Sequence, residues 1–332
     1  MKERIGWADR ARGLGILLVF HIHFFHNELH NAHLLVQLLG ISCLTAFYFT
    51  SGYFCSGRFA WKGWLKHNVR TLLVPYLAAS GISWLIGVAQ GDPKTLDRLL
   101  GILLQFPGTP WEGTRWFVPC FFVAKLIFAF TASRCKDRAT MLFGICLGYA
   151  GIAWVYTLLN GPRLPWNVEA ALLAQPFFAM GYGWRQGLEQ HCAALSTSQK
   201  AAGLALACAG FLGLGLLNLK LGGAAVDYHI RSLNEFFTAY GASACSLVLI
   251  LGLSRFENRF LVFLGRNSFI YYLYGGLVAA VTSRIITALL GWEYPVSRYL
   301  GGPVGMILLG APLAVALNRF CPWAAGKQTA GK

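Results

Sequence analysis

Runs of about 20 residues with no charged side chain recur along this chain, at residues 34–55, 71–91, 141–161, 201–219 and 236–254. A helix rises about 1.5 Å per residue, so each run is long enough to cross roughly 30 Å of hydrocarbon. Few folds tolerate such runs in water. Only 12% of the 332 residues are charged, about half the share usual in soluble domains. Tryptophan and tyrosine, which favour membrane interfaces, are plentiful. The expected class is all-α: a polytopic membrane protein built as a bundle of about ten transmembrane helices.

Ten spans are expected, over residues 8–27, 34–55, 71–91, 115–133, 140–160, 171–187, 201–219, 234–254, 267–290 and 300–319. The fourth contains Lys125 and the ninth Arg284. Sorting the connections by alternation puts nineteen of the 28 lysines and arginines on one side and seven on the other. Positive charge marks the cytoplasmic side, so both termini are expected in the cytoplasm. The net charge of +15 then reflects membrane topology and does not point to nucleic acid. The opening MKERIGWADRARG leads into the first apolar run without a small-residue cleavage site. Residues 1–332 are expected to form a single integral-membrane domain. The nine cysteines lie mostly inside spans, without a CxxC pair or zinc-like spacing, and read as small apolar residues in a reduced setting.

The segment GILLVFHIHFFHNELHNAH, Gly15 to His33, carries five of the eight histidines. His23 lies ten residues beyond Gly13, or roughly 15 Å into the bilayer. An ionisable side chain at that depth needs a partner or a wet cavity, and is by default a functional candidate. A neutral imidazole there can accept a proton. The other reading is a packed histidine bonded to carbonyls. His21 and His23 are about 200° apart on a helix and cannot share a pocket. His23, His26, His30 and His33 would share one stripe if the helix continued, but no carboxylate or thiolate ligand is fixed nearby, and no metal is expected.

The segment DRARGLGILLVFHIH resembles the first-helix pattern of the membrane acyltransferase-3 family. Asp9, Arg12, Gly13 and His23 fall on that pattern in register, while Ile22 departs from it. AFYFTSGYF, containing Ser51 and Gly52, is similar to the family's aromatic second helix. RTLLVPYL, from Arg70, resembles its basic approach to the third. RWFVPCFF, with Trp116 and Pro119, FFAMGYGWR, and FLGRNSFIYYLYG, with Asn267 and Ser268, resemble later elements in the same order. The motifs are most similar to the subgroup related to fucose O-acetylases. Where members often carry a histidine after the Asn-Ser element, this chain has Tyr274 and Gly275. Lys66 and Arg70 stand where many have two arginines.

Arg58, Lys62, Lys66 and Arg70 recur at four-residue spacing, with Trp61 and Trp64 alongside. On a continuous helix they form one slanting cationic stripe. One reading holds the stripe against anionic lipid. The other makes it a cradle for the phosphates of an acyl-coenzyme A donor, with Arg12 joining at the mouth of the first helix.

The resemblance implies an O-acyltransferase, most simply an O-acetyltransferase, in the bacterial inner membrane. It would move an acetyl group from cytoplasmic acetyl-CoA to a hydroxyl of a sugar or cell-surface glycan. His23 would serve as general base, and Arg12, Arg58, Lys66 and Arg70 would bind the donor. Arg70, Asn267 or Ser268 would face the developing oxyanion. A covalent acyl-enzyme stays open, although Ser51 and Ser268 read more simply as helix-packing residues, and Trp116 and Pro119 as shaping a helix. Asp9 and Arg12, three apart, are expected to pair. Glu112 and Glu169 are expected in solvated outer loops, with contact to a hydroxyl-rich acceptor as the other reading. The competing function is a secondary transporter or lipid-linked sugar flippase using His23, Lys125 and Arg284 as a pathway. No pair of correspondingly broken halves supports it.

Overall fold

The computed structural model describes residues 5–25, 33–58, 60–105, 114–135, 138–223, 225–226, 230, 232–291, 302 and 305–327. No strand occurs among them. The α-helices are α1 (Gly6–Phe25), α2 (His33–Gly40), α3 (Thr45–Phe54), α4 (Trp61–Asn68), α5 (Val74–Ala89), α6 (Thr95–Leu104), α7 (Phe117–Cys135), α8 (Ala139–Leu158), α9 (Val168–Leu173), α10 (Gln175–Gly183), α11 (Glu189–Ala194), α12 (Thr197–Leu221), α13 (Leu233–Leu253), α14 (Arg259–Arg266), α15 (Ser268–Leu290) and α16 (Gly310–Phe320). Seven helical runs among the described residues are long and apolar enough to cross a membrane: Leu34–Phe54, Trp61–Ala89, Phe117–Cys135, Ala139–Leu158, Thr197–Leu221, Leu233–Leu253 and Ser268–Leu290. The other three expected spans are also helical where described, but α1 opens with Asp9, Arg10 and Arg12, residues 168–188 are broken, and α16 is short.

The chain divides into two compact units. One contains residues 1–58, 124–162 and 169–266, and the other residues 59–123, 163–168 and 267–332. In a bilayer, lipid is as apolar as leucine, so helices are held by close packing and by polar side chains rather than by escape from water. The first unit shows both devices. A Cβ on Gly52 of α3 would collide with the Phe178 carbonyl oxygen of α10, and one on Gly181 with the Phe49 carbonyl. A second crossing pairs α1 with α14: a Cβ on Gly13 would strike the Leu261 carbonyl, and one on Gly265 the Asp9 carbonyl. Backbones can approach this closely only where both faces lack side chains. Beside them Phe49, Phe128, Phe177 and Phe178 are fully buried. The hairpin of α12 and α13 starts each helix on a serine cap, Ser196 accepting from the Gln199 N–H at 3.2 Å and Ser232 from the Glu235 N–H at 3.1 Å. Asn218 Nδ2 donates to Thr238 Oγ1 across it at 3.1 Å.

Two expected spans are interrupted. The run 34–55 breaks between α2 and α3, where Ser243 Oγ donates to the Ile41 carbonyl at 3.1 Å and Ser42 bonds Ser246 at 2.7 Å. Ser243 of α13 thus satisfies a carbonyl that the break releases, as apolar surroundings require, and Ser246 holds the Ser42 side chain. The run 171–187 breaks before Pro176. Gln175 Nε2 there donates to the Ala171 and Ala124 carbonyls at 2.8 and 3.1 Å, and a π-helical turn, Trp184–Leu188, follows α10.

In the second unit α4 and α5 form one run through a π-helical turn, Val69–Leu73. Pro75 cannot donate to the Thr71 carbonyl, and the wider turn accommodates that loss. Tyr76 of α5 donates to the Ile102 carbonyl of α6 at 2.6 Å, and Trp84 Nε1 to the Thr95 carbonyl at 2.8 Å. Asn318 of α16 donates to Asn267 Oδ1 at 2.7 Å, tying α16 to the start of α15. None of the nine cysteines forms a disulfide.

Candidate active-site residues

Helix α1 carries the first-helix pattern, and its residues separate by face. Asp9 is buried, and its Oδ2 accepts from Arg266 Nε of α14 at 3.0 Å. The expected Asp9–Arg12 pair does not form. Three residues apart, the two side chains are captured by different neighbours, and Arg12 turns to α3. There Arg12 Nε donates to Thr50 Oγ1 at 3.2 Å, and its guanidinium lies 5.2 Å from the Phe54 ring. Thr50 is itself held by the Ala46 carbonyl at 2.8 Å. One arginine of the pattern is therefore fixed in place by two contacts from a single helix.

His23 stands in the last turn of α1 on an exposed face, eleven residues or roughly 16 Å beyond Arg12. His21 is partly buried. The described helix ends at Phe25, and His26 and His30 lie outside the described residues. His33 begins α2, so the expected four-histidine stripe falls largely outside the described residues.

The basic stripe also needs correction. Ser56 Oγ donates to the Arg58 carbonyl at 2.8 Å, and Gly57 adopts φ +66°. This turn holds Arg58 off the helix, which begins only at Trp61. Lys62 and Lys66 lie on α4, and Arg70 follows in the π-helical turn, where the wider register ends strict four-residue alignment. Arg58, Lys62, Lys66 and Arg70 are all exposed. Trp61 and Trp64 meet edge to face at 5.7 Å.

Of the supporting motif residues, Ser51 is partly buried in α3 beside Gly52, at the tight crossing with α10. Trp116 lies in a short turn, Thr114–Trp116, with its ring 6.3 Å from Phe117. Asn267 and Ser268 are buried at the start of α15. Glu112 lies outside the described residues. Glu169, expected in a solvated loop, is instead buried in the first turn of α9, because the chain re-enters helix immediately after residue 167. Arg284 is exposed on α15.

The first unit also assembles cations that spacing alone does not connect. Lys125 of α7 lies within electrostatic reach of Arg12 and of Cys55, and Cys55 within reach of Arg185 in the second π-helical turn. Arg185 Nη1 donates to the Tyr53 carbonyl at 3.5 Å, and Tyr53 donates to Glu189 Oε2 at 2.9 Å. Arg255 pairs with Glu189 at 3.4 Å and lies 5.7 Å from the Trp7 ring. Arg12, Lys125 and Arg185 thus belong to one neighbourhood around the end of α3, from three distant parts of the chain.

Neither the curated proteins nor the solved structures contain a match to this chain. A family model described as acyltransferase domain matches residues 5–318, a stretch that includes the first-helix pattern, the basic segment and the helices that the glycine crossings join. With its apolar helical runs, this is an integral membrane protein, and the chain belongs to the acyltransferase-3 family.

Proposed function

We propose that this protein is a membrane-embedded O-acetyltransferase that moves an acetyl group from cytoplasmic acetyl-CoA to a hydroxyl of a sugar or glycan. The bilayer is the bacterial inner membrane, crossed ten times, with both termini in the cytoplasm. The phosphates of the donor meet Lys66 and Arg70, helped by Arg12 and Arg58. His23 Nε2 or Nδ1 accepts the proton of the attacking hydroxyl. That oxygen bonds to the thioester carbonyl carbon, the carbon–sulfur bond breaks, and the imidazolium returns its proton to the departing thiolate.

The observation that carries this reading is family membership over residues 5–318, a span that includes the exposed cations and the exposed histidine. His23 is exposed where its neighbour His21 is partly buried, and a general base must come within hydrogen-bond reach of its substrate. The test is thiol release from acetyl-CoA by purified protein offered candidate sugars and glycans, with mass spectrometry of the product. Acetylated product with stoichiometric thiol is the expected result. Sugar transport into vesicles without thiol release would replace this reading with a transporter.

A further inference from the structure

The second unit contains a cation that this scheme does not use. Arg115 stands in the turn Thr114–Trp116 just before α7 and is partly buried. Its Nε donates to the Leu273 carbonyl of α15 at 2.8 Å, and Nη2 donates to Ser83 Oγ of α5 at 2.9 Å. A guanidinium has five N–H donors. Two are engaged, and among the described residues no acceptor meets the Nη1 pair or the second Nη2 hydrogen. Nor does any described aspartate or glutamate form an ion pair with Arg115.

The neighbours of the guanidinium that interact with its charge are neutral tyrosines. Tyr76, Tyr272 and Tyr274 all lie within electrostatic reach of the guanidinium. The Tyr76 hydroxyl is committed to the Ile102 carbonyl and to Gln105. Tyr272 accepts from the Phe117 N–H at 3.3 Å. The hydroxyl of buried Tyr274 makes no hydrogen bond among the described residues. A charge withdrawn from water in neutral surroundings is costly unless something compensates it. The two clamped donors fix the plane of the guanidinium, and its remaining edge has the shape that receives two oxygens of one carboxylate or phosphate.

We propose that Arg115, assisted by Tyr274, binds a carboxylate or phosphate group of the acceptor. Ser83, which marks its level, lies 13 residues beyond Arg70 on the run Trp61–Ala89, roughly 20 Å along the helix axis. An anion held at Arg115 is therefore remote, along that run, from Lys66 and Arg70. That the ligand belongs to the acceptor rests on the acyl-transfer reading, whereas recognition of the anion does not.

The test is calorimetric titration of sodium glucuronate, glucose 1-phosphate and neutral glucose into the full-length protein without acetyl-CoA. Titrations are run in phosphatidylcholine nanodiscs and repeated in phosphatidylglycerol nanodiscs. One or both anionic sugars should bind about tenfold more tightly than glucose in both lipids, as expected for a paired hydrogen bond to a charged group. Arg115→Gln should erase that preference. Tyr274→Phe, which leaves both clamping bonds intact, should weaken it severalfold. No preference in the wild type, or one that survives Arg115→Gln, overturns the proposal. A preference seen in phosphatidylcholine but abolished in phosphatidylglycerol makes a lipid headgroup the occupant and overturns the acceptor assignment. If Arg115→Gln fails to fold, Tyr274→Phe decides, and an unchanged preference there overturns the site. Failure of thiol release with anion preference intact refutes the acyl-transfer reading alone.

Discussion

The glycine crossings of the first unit and the cation-bearing segment 61–73 of the second belong to the same run of family-like motifs, yet they are built in opposite ways. At the crossings, Gly13, Gly52, Gly181 and Gly265 sit against the carbonyls of facing helices, with room for no side chain. On α4, Gly63 has open space around its Cβ position, and Lys66 there and Arg70 in the following turn are exposed. The difference teaches that a motif letter can mark either a contact between backbones or a group presented to something outside the chain. Arg12 lies between these cases: it is a cation, but one secured by Thr50 and Phe54.

The strongest way to break the comparison is to add bulk at both kinds of glycine. Gly52→Leu and Gly181→Leu should abolish a monodisperse, thermally cooperative protein, because the intruding atoms meet backbone that cannot yield. Even flexible cores lose about 1–3 kcal/mol to overpacking. Gly63→Leu should leave the melting temperature unchanged, and melting curves of detergent-purified protein check both. His23→Ala should lower acetyl transfer by about 10²–10⁴-fold with unchanged melting, the usual worth of a positioned base. Turnover near the wild-type rate would remove His23 from the chemistry. Replacing Lys66 and Arg70 with glutamine should raise the KM for acetyl-CoA by about tenfold and reduce its salt dependence, with little change in kcat. An unchanged KM would return the segment to binding lipid headgroups.

Finer distinctions come from α1. Arg12→Lys keeps the charge but loses the Nε bond to Thr50, which should cost about 0.5–1.5 kcal/mol of stability. If Arg12 helps hold the donor, Arg12→Gln should raise the KM further than Arg12→Lys does. The smallest effect is expected at Asp9. Its partner Arg266 is half exposed, so Asp9→Asn should cost about 1 kcal/mol or less, and the deficit should shrink in high salt.

Much of the helical content was readable from the uncharged runs, since a membrane helix must supply about 20 apolar residues in sequence. The breaks were not. The interruption after Gly40 involves Ser243 and Ser246, some 200 residues away, the first donating to the released Ile41 carbonyl and the second bonding the Ser42 side chain. Arg58 was placed on the stripe because four-residue spacing fits a helix, but Ser56 and Gly57 form a turn first. Asp9 and Arg12 were within pairing distance along the helix, and the structure sends each to a different neighbour. Arg115 entered the sequence reading as a loop charge at the head of RWFVPCFF, and nothing in its local spacing marks Leu273 or Ser83 as partners.

By itself, then, the sequence determined that the chain spans a bilayer in apolar helices and which residue types lie at the first-helix and basic positions. These are properties of composition and order along one strand of polypeptide. Only the tertiary structure decided which glycines are points of backbone contact, which cations are clamped and which are exposed, and that Arg115 is held by Leu273 and Ser83. Those outcomes depend on atoms brought together from distant parts of the chain. In a medium as apolar as the helices themselves, close fit and polar bonds between helices select one arrangement.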